Sequence, residues 1–166
     1  DENFAEVCGF TKPQCDEAID HFRVYFRDKG IHQNILYPGI DTLLGELYAA
    51  GCKLYVATSK PTVFANEILE RFSLAQYFTL VCGSELSHAG RQKAAVVREV
   101  LGRAGISEGA RGVIMVGDRR HDVIGAHQNG LPCVGVLFGY GGEEELRAAG
   151  CDFLAADVPT LRRILM

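Results

Sequence analysis

Lys53-Leu54-Tyr55-Val56-Ala57-Thr58-Ser59-Lys60-Pro61 is the stretch on which the reading of this sequence turns. Its apolar residues are too few for a helix and stop at two hydroxyls, so they predict a short strand over Lys53 to Ala57. The proline then suits the first turn of a helix over Pro61 to Phe72. The same unit recurs downstream. Strands are expected at Phe78–Cys82, Gly112–Val116 and Cys133–Leu137, with an edge strand at Asp152–Ala155. Helices are expected between them, over Gln92–Ala104 ended by Gly105 and Arg120–Asn129 ended by Gly130. A short helix over 143–149 and a last one from Pro159 complete the series. Short strands, apolar throughout and separated by helices, predict a parallel sheet covered on both faces. The fold class is α/β, Rossmann-like.

Upstream the texture changes near Tyr37-Pro38-Gly39. Residues 41–50 read as a helix ended by Gly51. Before the change, Ala18, Ile19, Phe22, Tyr25 and Phe26 recur at helical spacing. Thr11-Lys12-Pro13 offers a cap and a first-turn proline, and Gly30 a stop. This aromatic stripe reads as packing against another helix. The division is therefore 1–36, a helical appendage, and 37–166, an α/β core.

The bulk numbers agree. A chain of 166 residues is one domain, and 48% apolar with 23% charged residues excludes a disordered chain. The formal charge of −4 leaves no basic footprint for nucleic acid. No apolar run approaches the ~20 residues of a membrane span, and no leader-like segment opens the chain, so a cytoplasmic location is expected. Six cysteines, none in a C-x-x-C pair, read as small buried hydrophobes in a reducing compartment. Because residue 1 is Asp and not Met, the chain is expected to be a processed form, a fragment or the ordered part of something longer.

In an open α/β sheet ligands gather beyond the carboxyl ends of the strands. Those positions hold Thr58-Ser59-Lys60, Gly83-Ser84-Glu85, Gly117-Asp118-Arg119-Arg120-His121-Asp122 and Phe138-Gly139-Tyr140-Gly141-Gly142. Thr58 and Ser59 before a helix suit either an anion such as phosphate or a plain helix cap. Asp118 and Asp122 are four apart and suit a hard cation, Mg2+. Capping and dipole roles stand beside that reading. Arg91 and Lys93, and then Arg119, Arg120 and His121, place positive charge at two helix starts, where it is unfavourable. A bound anion or simple solvation of the side chains would account for them. The sequence has no Walker-type loop, no G-x-G-x-x-G after a strand and no G-x-S-x-G elbow.

Thr58-Ser59-Lys60-Pro61, Lys93 and Val116-Gly117-Asp118-x-x-x-Asp122 together resemble motifs II, III and IV of the haloacid dehalogenase (HAD) superfamily. Residues 37–61, 115–130 and 135–146 resemble its phosphoglycolate phosphatase-like branch. The resemblance implies a Mg2+-dependent phosphatase hydrolysing small phosphate monoesters through an aspartyl-phosphate. It implies that Thr58 and the Ser59 N–H bind the phosphoryl group and that Lys93 steadies nucleophile and phosphate. Asp118 would bind Mg2+, and Asp122 would ligate it or orient its water. Residues 1–36 would be the remnant of a helical cap.

One departure is large. The family's D-x-D-G-T motif, whose first Asp is the nucleophile, is absent from the sequence. In the family it ends a central strand lying between those at 53–57 and 112–116. These residues alone are therefore expected to be inactive, with a gap in the sheet. The alternatives are a non-catalytic module binding a phosphate-bearing ligand or partner, and a phosphomutase. The expected partner is a small phosphorylated metabolite. The oligomeric state is open, and a truncated sheet makes swapped assembly an option.

Overall fold

The computed structural model describes residue 5, residues 8–84 and residues 92–166. Helix α1 (Lys12–Asp28) begins where predicted, with Gln14 Oε1 accepting from the Thr11 N–H at 2.9 Å. Helix α2 (Ile40–Ala49) leads into β1 (Leu54–Pro61) and α3 (Thr62–Arg71). β2 (Phe78–Ser84), α4 (Lys93–Ala104), β3 (Met115–Gly117) and α5 (Arg120–His127) follow. The chain closes with β4 (Cys133–Val136), α6 (Glu143–Ala148), β5 (Phe153–Ala155) and α7 (Val158–Leu165).

All observed pairings are parallel, and the strands form two sheets, β1-β2 and β3-β4-β5. β1 and β3 do not pair with each other, as expected if a strand's place lies between them. Val116 on β3 is 37% exposed accordingly, although it is an apolar strand residue.

Helices cover both faces. Val97 and Leu101 of α4, Val123 and Ala126 of α5, and Leu146 of α6 pack with Cys133 in one cluster. Leu43 and Leu47 of α2 and Leu161 of α7 pack with Val134 and Val136 in another. Successive β4 residues thus point into opposite cores, as the period of a strand dictates. Ala57 and Met115 both join the first cluster, so shared helices hold the two sheets side by side.

Three local expectations are revised. β1 runs on through Thr58, Ser59 and Lys60, because Pro61 pairs with Ser84 after an irregularity in the register. Helix α3 therefore starts at Thr62, with Pro61 at its cap. Neither Thr58 nor Ser59 caps it. The aromatic stripe is also only partly packed. Phe26 meets Phe64 of α3 at 5.5 Å between ring centroids, while Phe22 and Tyr25 are 54% and 47% exposed. Cys15, Cys82 and Cys133 are buried as expected, but Cys8 and Cys52 are exposed.

Candidate functional site

Lys93 opens α4 and turns its amine towards the middle of β1. Its Nζ donates to the Ala57 carbonyl at 3.0 Å and pairs with Asp122 Oδ1 at 2.9 Å. Both partners of the ion pair are largely withdrawn from solvent, at 14% and 9% side-chain exposure. The other oxygen of Asp122 accepts from the Asp118 N–H at 3.1 Å and the Arg119 N–H at 3.2 Å. One carboxylate thus caps α5 and holds a cation from α4. Behind them, buried Asn129 donates from Nδ2 to the Ala94 and Gly125 carbonyls and locks α4 to α5.

The turn after β3 has no room to spare. A Cβ on Gly117 would overlap Asp122, so only glycine lets the strand end pass this close to the carboxylate. Asp118 is not the helix cap; Arg119 holds that position. Asp118 is half-buried, and its Oδ2 accepts from the Tyr140 N–H at 2.7 Å.

Positive charge at the two helix starts finds carboxylates within the chain. Lys93 has Asp122. Arg119 Nε donates to Glu145 Oε1 at 2.9 Å, and the Arg120 N–H reaches the same oxygen at 2.8 Å. These bonds, the Arg120 N–H foremost, hold the Glu145 carboxyl below its usual range. Arg91 and Glu85 lie outside the described residues.

At the end of β1, Thr58 Oγ1 accepts from the Lys60 N–H at 3.1 Å, a local turn in place of a helix cap. Ser59 is exposed, and its carbonyl accepts from Ser84 Oγ at 2.9 Å. Lys60 lies over the Phe26 ring at 3.8 Å from its centroid, and burial lowers the pKa of its amine. Tyr37 packs edge-on against Phe138 at 5.2 Å. Burial first, then Tyr140 and Asp118, push its phenol pKa up.

The structure thus joins Lys93, Asp118 and Asp122 directly, and Lys93 touches the residue just before Thr58. Tyr140 stands among the positions expected beyond the strand ends, but the sequence assigns neither it nor Glu145 a role in the site. The only signal of the former was the density of glycine at 139–142, and a backbone N–H has no residue-type signature.

Among the described residues no three His, Cys, Asp or Glu side chains cluster as a metal cage. Mg2+ does not need one: it keeps several waters and takes one or two carboxylates plus substrate phosphate. Asp118 offers Oδ1, which has no partner among the described residues. Asp122 has both oxygens engaged. The donor set fits Mg2+ through Asp118.

The haloacid dehalogenase-like hydrolase profile matches residues 5–136. The chain is 41% identical over 162 residues to a 5'-nucleotidase of Pseudomonas aeruginosa, covering 98% of this chain and 72% of that protein. It is 37% identical over 126 residues to the tyrosine-protein kinase PtkA of Mycobacterium tuberculosis, covering 76% of this chain and 43% of that one. It is 29% identical over 150 residues to the phosphoglycolate phosphatase of Vibrio cholerae, covering 90% of this chain and 66% of that one. Among solved structures, a predicted phosphatase from Clostridium acetobutylicum superposes with a TM-score of 0.92 at 42% identity, covering 98% of this chain and 74% of that one.

Proposed function

We propose that this chain, which belongs to the haloacid dehalogenase-like hydrolase family, carries the phosphate- and cation-handling part of a phosphatase acting on small phosphate monoesters in the cytoplasm. The observation that carries the reading is Lys93: one amine ties β1 at Ala57 to the Asp122 carboxylate, which itself holds the turn bearing Asp118. Phosphoryl transfer needs positioning and charge neutralisation more than covalent help from the protein, and this cluster is suited to both.

Thr58 Oγ1 and the Ser59 N–H bind and orient the phosphoryl oxygens. Lys93 supplies a fixed positive charge at the phosphate and its attacking group. Asp122 sets the Lys93 amine and the 117–119 turn in place. Asp118 holds Mg2+, which when bound neutralises phosphate charge. Residues 1–36 act as part of a cap that narrows access to the site and selects among leaving groups. The 5'-nucleotidase and phosphoglycolate phosphatase relatives support a small phosphorylated metabolite as substrate, and the reading includes no nucleic-acid or membrane partner.

The nucleophilic aspartate belongs to a D-x-D-G-T strand that the sequence does not contain, and its place is between β1 and β3. The chain alone then releases no phosphate. A protein extended upstream by that strand hydrolyses p-nitrophenyl phosphate and 2-phosphoglycolate, with inorganic phosphate as product. Turnover by the 166 residues themselves would defeat the assignment of the nucleophile. Return of the phosphoryl group to a sugar would make the protein a mutase.

A further inference from the structure

The connection after β4 grips the turn after β3, and none of the roles above uses it. Its Tyr140 N–H donates to Asp118 Oδ2 at 2.7 Å, although the residue is 89% exposed. Two glycines allow this approach. A Cβ on Gly139 would overlap the Asp118 side chain, and one on Gly141 would overlap the Asp118 carbonyl oxygen. A few residues on, Glu145 takes the Arg119 guanidinium and the Arg120 N–H, so the same segment also holds the far side of the turn. Leu146, fully buried, anchors the segment in the core.

An aspartate on a turn has two side-chain torsions, and a cation needs one carboxylate oxygen held in one place. A hydrogen bond from a backbone N–H to the carboxylate is charge-assisted and short. It occupies Oδ2 and leaves Oδ1 without a partner among the described residues. We propose that the Tyr140 backbone N–H, brought within reach by Gly139 and Gly141, is the positioning group that fixes the Asp118 carboxylate for a divalent cation. The inference rests on Asp118 being the cation's ligand. The main chain at residue 140 carries the role, and the exposed tyrosine ring does not.

The test is a Mn2+ titration of the purified protein followed by electron paramagnetic resonance. Tyr140→Ala keeps the N–H and should bind within about twofold of the parent, as an exposed side chain predicts. Tyr140→Pro removes the N–H and should weaken binding about 10- to 100-fold, the range for losing a partner that orients a metal ligand. Gly139→Ala should act in the same direction. Thermal unfolding in metal-free buffer shows whether each variant is folded. A readout independent of the variants' folding is the Tyr140 amide in the parent. It should exchange slowly despite its exposure, and its resonance should move in Asp118→Ala. A folded Tyr140→Pro that binds Mn2+ like the parent, or a Tyr140 amide exchanging as in an open chain, overturns the proposal. If Asp118→Ala itself retains full Mn2+ affinity, the ligand assignment fails and the proposal with it. The Tyr140 amide shift tells that failure from loss of the contact.

Discussion

Lys93 is placed against helix energetics. A cation at a helix N-terminus costs a few tenths to about 1 kcal/mol, and Asp122 at 2.9 Å offsets that cost. Removing one member of a nearly buried pair strands the other. Lys93→Met should therefore lower the unfolding free energy by about 3 kcal/mol, read from urea denaturation. Asp122→Asn should cost less, because it keeps an oxygen for the Asp118 and Arg119 N–H groups. The double variant should recover part of the sum, since the two groups couple directly. The glycines give a second contrast. Gly117→Ala presses a methyl onto Asp122 and should cost roughly 1–3 kcal/mol. Gly102→Ala, at an exposed position of α4 with open space around it, should stabilise by about 0.5–1 kcal/mol. A reversed order of the two urea midpoints would refute this account of the turn. At this scale Lys93, Asp118 and Asp122 were legible because charge and spacing carry their own signal. Tyr140 was not, since its contribution is a main-chain hydrogen bond made across 22 residues.

At the scale of elements, helix ends followed local chemistry and strand ends did not. Gly105 and Gly130 stand at positive φ after α4 and α5, as their sequence positions suggested. β1 outran its apolar stretch because its last residues pair with β2, and β3 was trimmed because only Met115 to Gly117 find partners on β4. Pairing depends on a neighbouring strand, so composition alone cannot set these limits. The α6 clasp on the 117–120 turn has a pH signature. Glu145 is held below the usual carboxylate range, first by the Arg120 N–H and then by Arg119. Such a group contributes stability that is complete above its ordinary pKa of about 4.3. That stability is lost as pH falls through the lower folded value. Glu145→Gln should thus melt below the parent near neutral pH, and the two melting curves should converge in strong acid. Parallel melting temperatures across the titration would count against the clasp.

At the scale of the molecule, the split between β1-β2 and β3-β4-β5 is the dominant feature. β4 is paired on both sides, while β1 and β3 are each paired on one side only among the described residues. Strand amides with few covering contacts exchange at low opening free energies. Hydrogen exchange should therefore find Val134 and Gly135 the slowest strand amides and Val116 markedly faster. Uniform protection across all five strands would mean that the sheet is continuous in solution. No helix among the described residues is long and apolar enough to cross a membrane.

By itself the sequence determined the alternation of strand and helix, the parallel sheet and the charged positions beyond its strands. These depend on periodicity and residue type, which are written locally. Only the tertiary structure decided that Asp122 is taken up by Lys93 and two N–H groups while one Asp118 oxygen has no partner among the described residues. It also decided that the segment after β4 closes on Asp118. Those outcomes depend on which turns the packing of α4, α5 and α6 brings within hydrogen-bonding distance, and no local pattern encodes that distance.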